Sequence, residues 1–290
     1  MILLTGATGT VGSALLRRLT AEPRPVRCLV RDPRRLGEQR VRVQIALGDL
    51  ADPASFRNAL RGVHTVVHLA AAIRDQPGAS MEELNAVATL RLVRAAERAG
   101  AKRFVFFSAI GARHHSRTRF FRAKALAADA VRGSSLEATV FSPSIIYTPG
   151  DPWLTLLERL SLLPAVPVSG PGRAAFQPIW AEDVAACVMA SLNGSGGGDV
   201  ELAGPQTLTY DDIVRVVLRS VGRRRRLLHV PLPLVRASLR LLRFGGGPHV
   251  FATWEEAELM EEPMTTPDGS AGAEALGVDP LPMARVLGNA

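Results

Sequence analysis

A glycine-rich turn near the start of the chain places the strongest constraint on its fold. The stretch "MILLTGATGTVGSALLRRL" leads from an apolar, strand-like run into a segment of helical periodicity, with three spaced glycines between them. Such a turn lets the backbone reverse tightly, approach a pyrophosphate and pack a helix against the strand. The start of the helix also directs unpaired N–H groups at phosphates. The residues expected to contact a dinucleotide are Gly6, Thr8, Gly9, Thr10, Val11 and Gly12.

Strand-like runs alternate with helical segments through the first half of the chain. Strands are predicted over 1–5, 25–30, 42–47, 64–69, 103–108 and 137–143, and helices over 10–21, 53–61, 81–100 and 117–132. This alternation is typical of βαβ units and a parallel sheet. It predicts an α/β fold with a Rossmann-type doubly wound parallel sheet and helices on both faces, which places the ligand at the carboxyl ends of the strands.

The rhythm changes after residue 150, where loops containing proline separate shorter elements. We expect residues 1–150 to form an NADP-binding Rossmann region. Residues 151–290 would form a smaller substrate-binding and lid region, integrated with the first as a single compact unit. Helices are predicted at 181–193, 209–222 and 233–244. The last of them alternates arginine with leucine, a pattern that also suits a helix lying on a membrane surface. We interpret it as a helix packed over the pocket, because amphipathicity is general in surface helices.

The end of the second predicted strand, "CLVRDP", indicates which cofactor is bound. An acidic residue there suits the ribose of NAD, whereas arginine suits the 2′-phosphate of NADP. Arg31 occupies the position and Arg34 follows closely, so NADP(H) is favoured, while Asp32 keeps NAD as an alternative. The other residues expected to line the cofactor site are Asp49, Leu50, Ala70 and Ala71. His68 is expected to pack within its strand.

Composition and charge argue against several other functions. No apolar run reaches the roughly 18 residues that span a membrane, and the N-terminal stretch shows no secretion signal, so we expect a cytoplasmic protein without a membrane partner. The two cysteines and six histidines show no metal-ligand spacing, so no metal is expected. The net charge is +8, but the most basic stretch, "GRRRRLL", contains no aromatic residue, so no nucleic-acid partner is expected.

Several motifs in order resemble the short-chain dehydrogenase/reductase superfamily, in its extended-like or atypical branch. They are the glycine turn, "GDL" at 48–50, "HLAA" at 68–71, "FVFFSAIGA" at 104–112, "SPSIIYTPGD" at 142–151 and "PIWAEDVA" at 178–185. The resemblance implies that Ser108 contacts the substrate carbonyl, that Lys124 holds the nicotinamide ribose, and that Asn85 belongs to a proton relay. It also implies a turn facing the nicotinamide amide at Pro143, Ser144 and Ile145.

The chain departs from this family at its catalytic acid. In "RTRFFRAKALAADAV", the tyrosine expected four residues before Lys124 is replaced by Phe120. Residues four apart share a helix face, so a tyrosine there would protonate the alkoxide formed by hydride transfer, and phenylalanine cannot. The chain has two tyrosines, Tyr147 and Tyr210, and neither lies in this helix.

Three functions remain compatible with the missing acid. The favoured one is an NADPH-dependent ketoreductase acting on a hydroxylated aromatic polyketide, whose own hydroxyl supplies the proton; Ser108, His114, His115 or a water are other donors. This hypothesis resembles the angucyclinone ketoreductases of the simocyclinone type in antibiotic biosynthesis. The alternatives are a regulator that binds NAD(P) without turnover, similar to nitrogen-metabolite repressors, and a structural subunit or assembly factor, similar to the accessory reductase-like subunit of respiratory complex I.

The residues expected to meet the aromatic ketone are Ser108, His114, Tyr147, Trp153, Gln177 and Trp180. The oligomeric state stays open.

Overall fold

The structure is a computed structural model that describes residues 1–76, 78–194, 197–235 and 254–288. The strands are β1 (Ile2–Thr5), β2 (Val26–Val30), β3 (Gln44–Leu47), β4 (Thr65–His68), β5 (Arg103–Phe107), β6 (Glu137–Pro143), β7 (Ile146–Tyr147), β8 (Ala165–Ser169), β9 (Ala175–Phe176), β10 (Ile179–Trp180), β11 (Gly198–Leu202), β12 (Leu208–Thr209) and β13 (Arg226–Val230). The α-helices are α1 (Thr10–Ala21), α2 (Pro53–Phe56), α3 (Ala88–Arg98), α4 (Arg119–Arg132), α5 (Pro152–Leu160), α6 (Ala181–Leu192) and α7 (Tyr210–Ser220), followed by Trp254–Leu259, Ala271–Glu274 and Met283–Gly288.

A seven-stranded parallel sheet forms the centre of the molecule, in the order β11-β6-β5-β4-β1-β2-β3. The order reverses between β1 and β4, where a doubly wound sheet opens a crevice for its ligand. In the register of these strands, Thr5 lies opposite both Leu29 and His68. The predicted Rossmann-type α/β fold is therefore confirmed, and the carboxyl ends of β1, β2 and β4 meet at one edge.

Helices cover both faces of the sheet, which explains why the residues of β1, β4 and β5 are all buried. On one face, Leu15 and Leu19 of α1 share a core cluster with Val184 and Val188 of α6. On the other face the core is formed with α3 and α4. A third cluster belongs to the second half of the chain and contains, among others, Tyr147, Leu154, Phe176, Ile213, Met264 and Met283.

Two of the three motif glycines are required by close contacts. Gly6 has a φ of +73°, and a Cβ there would lie 2.6 Å from the backbone nitrogen of Ala70. A Cβ on Gly12 would lie 2.0 Å from the carbonyl oxygen of Gly6. The turn is thus pressed against both the end of β4 and the first turn of α1, and a larger residue at either position would separate them.

Some elements differ from the sequence-based prediction. The helix expected over 81–100 begins with a π-helical turn at Glu83–Val87 before α3, and the one expected over 53–61 finishes as a 3₁₀ turn at Arg57–Leu60. The boundary near residue 150 stays a prediction, but β11 from beyond it completes the central sheet. Most of the helix expected at 233–244 lies outside the described residues. Within the described part of the chain, no helix has the length and hydropathy needed to cross a bilayer.

Candidate functional site

The glycine turn and the start of α1 form a site suited to a pyrophosphate. The turn closes through a hydrogen bond from Gly9 N to Gly6 O (3.0 Å), and the first helical bond runs from Ser13 N to Gly9 O (2.9 Å). Gly9 is the N-cap and offers no side chain to the helix. The N–H groups of the first helical turn therefore point out of the helix end, where phosphate oxygens can accept from them.

Two arginines stand at the tip of β2, where an adenosine ribose would lie. Arg31 donates to Gln76 Oε1 (2.9 Å) and lies 4.0 Å from Asp49 Oδ2, and its side chain is 58% exposed. The neighbouring acid is turned towards the backbone, since Asp32 Oδ1 accepts a hydrogen bond from Arg34 N (2.9 Å) and caps the 3₁₀ helix Pro33–Arg42. The tip thus presents guanidinium groups, while the Asp32 carboxylate is engaged in capping.

The remaining wall of the predicted adenine site is built from backbone. Asp49 N donates to Ser55 Oγ (2.9 Å), and Asp49 Oδ1 accepts from Ala51 N (2.9 Å), which fixes the turn after β3. Leu50 in that turn is half-buried. The turn lies beside Arg31 at the tip of β2, and its contact with an adenine stays a prediction.

Asn85 fastens the loop that follows β4. Its Oδ1 accepts from Ala72 N (3.1 Å), and its Nδ2 donates to the carbonyl oxygens of Ala72 (2.6 Å) and Met81 (2.9 Å). The whole amide is used by backbone, so we assign it to positioning Ala70 and Ala71 beside the glycine turn rather than to the proton relay implied by the family resemblance. The π-helical turn at Glu83–Val87 carries Asn85, and such turns are frequent at functional sites.

His68 is buried within a chain of hydroxyl groups. Its Nδ1 lies 2.6 Å from Thr5 Oγ1, its Nε2 lies 2.9 Å from Thr89 Oγ1, and Thr89 donates to Asn85 O (2.5 Å). Because Thr89 uses its proton on that carbonyl, the imidazole donates from Nε2 and accepts at Nδ1. Burial, with the nearby charge of Lys124, lowers the pKa of His68 to about 3. His68 is therefore neutral near pH 7 and supports the sheet.

Lys124 and Ser108 come together at the carboxyl end of β5. Lys124 is buried, and its Nζ donates to Phe107 O (2.7 Å), immediately before Ser108. Ser108 is also buried, and its backbone N donates to Phe141 O (2.7 Å). Burial lowers the pKa of Lys124 to about 7. Lys124 thus lies at the carboxyl end of β5, and its contact with the nicotinamide ribose stays a prediction.

Phe120 forms an apolar wall beside the lysine. The Lys124 ammonium lies 5.7 Å from the centre of the Phe120 ring and 5.0 Å from that of Phe106, distances at which a cation is attracted to an aromatic face. Phe120 also packs against the hydrophobic cluster of the second half of the chain. The position of the missing acid is therefore filled by an aromatic ring without a proton to give.

Three aromatic residues predicted to meet the substrate lie in that same cluster. Tyr147 and Trp180 are paired between β7 and β10, and both have a buried polar atom, Tyr147 Oη and Trp180 Nε1, without a hydrogen-bond partner among the described residues. The indole nitrogen of Trp153 is buried beside Tyr210. Burial raises the pKa of the Tyr147 phenol. Unpaired buried donors of this kind are costly, and a polar group on a bound ligand would relieve the cost.

Two residues predicted for the ligand turn out to join distant segments. Gln177 Oε1 accepts from Thr266 N (2.8 Å), and its Nε2 donates to Thr266 O (3.1 Å). Ser144 Oγ donates to Met264 O (2.6 Å) and accepts from Gln177 N (3.0 Å), while Ser144 N donates to Leu202 O (2.8 Å). Gln177 therefore has its amide committed to Thr266 and is not free for substrate. At the turn 143–145 the Pro143 carbonyl accepts from Ile110 N (3.0 Å), so much of its backbone is also engaged.

His114 is not brought to the site. Its Nε2 lies 2.7 Å from Asp129 Oδ2, and both side chains are about half exposed. Asp129 lies on the solvent side of α4, whereas Lys124 is buried. His114 is therefore an unsuitable proton donor, contrary to its place among the sequence candidates.

The sequence reasoning missed an ion-pair cluster at the start of α4. Arg119 donates through Nε to Glu82 Oε1 (2.6 Å) and through Nη1 to Asp75 Oδ2 (3.1 Å). Its hydrogen bond lowers the pKa of Glu82. This cluster ties the helix of Phe120 and Lys124 to the loop after β4. The sequence did not predict the cluster, because its three charged residues lie in two separate segments and form no recognisable motif.

Comparison with known proteins agrees with this arrangement. Residues 6–193 match the NAD(P)H-binding family. The chain belongs to that family, in the extended or atypical branch of the short-chain dehydrogenase/reductase type. It is 30% identical over 285 residues to a ceramide reductase of Caulobacter vibrioides, covering 95% of this chain and 89% of that protein. It is 29% identical to a mitochondrial NADH dehydrogenase subunit, 1 alpha subcomplex subunit 9, of Arabidopsis thaliana, covering 80% of this chain but 60% of that one. The relatives thus include reductases and a respiratory subunit.

The fold recurs in solved structures. The NADPH complex of the quinone oxidoreductase QOR2 from Escherichia coli superposes with a TM-score of 0.79 at 18% identity, covering 100% of this chain and 99% of that one. At this identity the likeness concerns the fold. The chain therefore has the architecture of the NAD(P)-binding reductases, and the family supports a nicotinamide cofactor at the glycine turn.

Proposed function

We propose that this protein is an NADPH-dependent ketoreductase that works without an active-site tyrosine. The observation that carries the proposal is the group of Lys124, Ser108 and Phe120 at the end of β5, the strand beside β4, whose own end lies against the glycine turn. Lys124 would hold the nicotinamide ribose, and Ser108 would contact the ketone oxygen. The cofactor would supply a hydride, and these residues would orient the ketone to receive it.

The choice of NADPH rests on the tip of β2. Arg31 is exposed there and already oriented by Gln76 and Asp49. Asp32, the residue that kept NAD as an alternative, is engaged as a helix cap. Guanidinium groups bind phosphate strongly through charge-assisted hydrogen bonds, which favours a cofactor with a 2′-phosphate.

The proton would come from the substrate. Hydride addition to the ketone carbon leaves an alkoxide, which takes a proton from a neighbouring hydroxyl of the same molecule; that hydroxyl then recovers its proton from water. Phe120 has none to give, His114 lies on the outer side of α4, and burial raises the pKa of the Tyr147 phenol. The loss of a general acid typically costs about 10²- to 10⁴-fold in rate, and an internal donor would recover part of it.

The apolar surroundings favour a lipophilic ketone. Phe120, Trp153 and Trp180 border one hydrophobic cluster. A hydroxylated aromatic polyketide of the angucyclinone type, as in antibiotic biosynthesis, would suit these apolar side chains and would carry the required hydroxyl. A ketone of the ceramide class also fits, since it has a hydroxyl near its carbonyl, and the 30% identity to a ceramide reductase over most of both chains favours it.

The test is a single-turnover assay of purified protein with NADPH and with NADH. The panel contains hydroxylated aromatic ketones, the same ketones with the hydroxyl methylated, and an N-acylated long-chain amino ketone. We expect oxidation of NADPH with at least one hydroxylated ketone and a large loss on methylation. Equal rates with methylated substrates would contradict the internal proton donor, and the reacting member of the panel identifies the substrate class.

A non-catalytic role is the second candidate. Phe120 favours it directly, and the relatives include a protein named photosystem II assembly factor Ycf39 from Guillardia theta, 27% identical over 81% of this chain. In this role, as in a regulator that senses NAD(P), the nucleotide would bind without turnover. Tight NADPH binding with no oxidation by any ketone in the panel would favour this role over the reductase. In either role we place the protein in the cytoplasm, as its sequence predicts.

A further inference from the structure

Arginine and leucine side chains share one edge of the molecule, formed by the turn before β8 and the segment leading into β13. We name the six residues Leu162, Leu163, Arg224, Arg225, Arg226 and Leu228 the arginine–leucine edge. The two segments are held side by side by Arg223 and Arg225: Arg223 Nη1 donates to Ser161 Oγ (2.6 Å), and Arg225 Nε donates to Ser161 O (3.1 Å).

The pairing of β8 with β13 separates an inner face from an outer one. Val166 lies opposite Leu227, and both pack in the core cluster of the second half. Arg226 lies opposite Ala165, and Leu228 lies opposite Pro167, which places these two pairs on the outer face. Leu228 therefore points away from the core.

The leucines of this edge are unusually exposed. Relative exposure is 64% for Leu162, 44% for Leu163 and 58% for Leu228. Because none of the three is needed to fill the core described above, their exposure costs hydrophobic free energy that a binding partner could recover. Single exposed leucines are common on protein surfaces, but a group beside arginines is not explained by packing.

The arginines give the edge a strong positive charge. Arg224, Arg225 and Arg226 are all exposed, and none forms an ion pair with a carboxylate within the ranges that the structure describes. Arg225 already donates through Nε to Ser161 O. Of these three arginines, Arg224 and Arg226 are therefore the ones available for phosphate, which a guanidinium group binds in a bidentate manner.

We propose that the arginine–leucine edge docks the protein on the surface of an anionic lipid bilayer. The leucines would enter the interfacial region, and the arginines would contact lipid phosphates, a combination typical of proteins that lie on a membrane. A single-stranded nucleic acid would instead need aromatic residues on which its bases stack, and the six residues include none. The proposal departs from the sequence-based expectation of no membrane partner, which weighed membrane spans and the segment 233–244 but not this edge. It stands independently of the proposed ketoreductase function.

The test is co-sedimentation of the full chain with vesicles of phosphatidylcholine alone and of phosphatidylcholine mixed with phosphatidylglycerol. We expect binding to the anionic vesicles that weakens at high salt. Since each arginine near such a surface contributes about fivefold to binding, R224E/R226E should weaken it at least roughly 25-fold. L162D/L228D should weaken it by a similar factor by removing the apolar insertion. R94E/R98E is the charge-matched control, and V41D is a single-site control for placing an aspartate at an exposed apolar position; both change exposed residues elsewhere and should stay within about twofold of wild type.

Several results would overturn the proposal. The first is that the wild type fails to bind anionic vesicles. The second is that both edge variants bind as tightly as the wild type. The third is that the control variants lose as much vesicle binding as the edge variants. Tighter binding to single-stranded RNA than to vesicles, lost in R224E/R226E but kept in L162D/L228D, would identify the edge as a nucleic-acid surface instead. A cooperative thermal unfolding transition like that of the wild type reports that each variant is folded. Because no ketone is present, failure of docking is distinguishable from failure of the reductase.

Discussion

Phe120 decides how the proton reaches the product, and a single substitution tests it. Phe120→Tyr would place a phenol beside the Lys124 ammonium. If the substrate supplies its own proton, the variant should change the single-turnover rate by less than about tenfold, because a second donor adds little, whereas a needed acid is worth about 10² or more. The measurement is NADPH oxidation with a hydroxylated ketone. A gain of about a hundredfold would indicate that the wild type is a disabled enzyme.

Lys124 carries a buried charge whose cost depends on pH. Its pKa is lowered from 10.5 to about 7 in the folded chain, so between these values the unfolded chain binds more protons and stability rises with pH. Relative to Lys124→Met, the wild type should gain free energy of unfolding as the pH is raised from about 7 to about 10. Urea unfolding of both proteins at several pH values measures this difference. Parallel curves would contradict a lowered pKa.

Substitution of Arg31 tests which of the two cofactors, NADPH or NADH, the protein prefers. Arg31→Glu should weaken NADPH binding by about 10- to 100-fold, the value of one or two charge-assisted hydrogen bonds, and leave NADH binding nearly unchanged. Fluorescence titration with each reduced cofactor checks this. Arg42→Glu makes the same charge change at an exposed position at the end of the segment Pro33–Arg42 and should weaken the binding of both cofactors equally and only slightly. Equal losses for both cofactors in Arg31→Glu would argue against a 2′-phosphate site.

Among the secondary-structure elements, the loop between β9 and β10 is joined to Thr266 by the side chain of Gln177. Gln177→Ala removes both hydrogen bonds to Thr266 and leaves a buried backbone N–H and C=O without partners, so we expect a loss of about 2–4 kcal/mol in the free energy of unfolding. Gln177→Glu keeps the acceptor but loses the donor, so its free energy of unfolding should lie between those of the wild type and Gln177→Ala. Chemical denaturation provides the measurement. If Gln177→Ala is as stable as the wild type, water replaces the hydrogen bonds of the amide without a loss in the free energy of unfolding.

Local patterns predicted the elements of the first half well. The glycine spacing, the alternation of apolar runs and the cap Thr118 before α4 are encoded within a few residues, so β1, α1 and the helix of Lys124 followed from the sequence. The roles of three other residues could not be predicted in this way, because each depends on a partner elsewhere in the chain. Gln177 bonds Thr266, Ser144 bonds Met264, and His114 pairs with Asp129. The first two partners are separated by 89 and 120 residues. Nothing in the neighbouring sequence marks such contacts.

For the whole molecule, the hydroxyl chain around His68 predicts sensitivity to acid. The pKa of this residue falls from 6.5 to about 3 on folding, so stability present above pH 6.5 is lost progressively as the pH drops towards 3. Between about pH 6.5 and 4 the loss from this group should reach roughly 2–3 kcal/mol. His68→Gln, which cannot titrate, should show a shallower decline in thermal unfolding over that range. Identical declines would show that other groups control acid unfolding.

The hydrogen bond from Ser144 to Met264 also bears on how the protein folds. Joining positions 120 residues apart requires closing a long loop, and such contacts slow folding because the entropy is lost before the contact is gained. Strands β1, β2 and β4, which meet at the glycine turn, pair over shorter separations in the sequence. The hydrophobic cluster that contains Met264, Trp153 and Trp180 should therefore be completed after these strands have paired. In a refolding reaction, the nucleotide site should form in a chain that cannot yet hold a ketone.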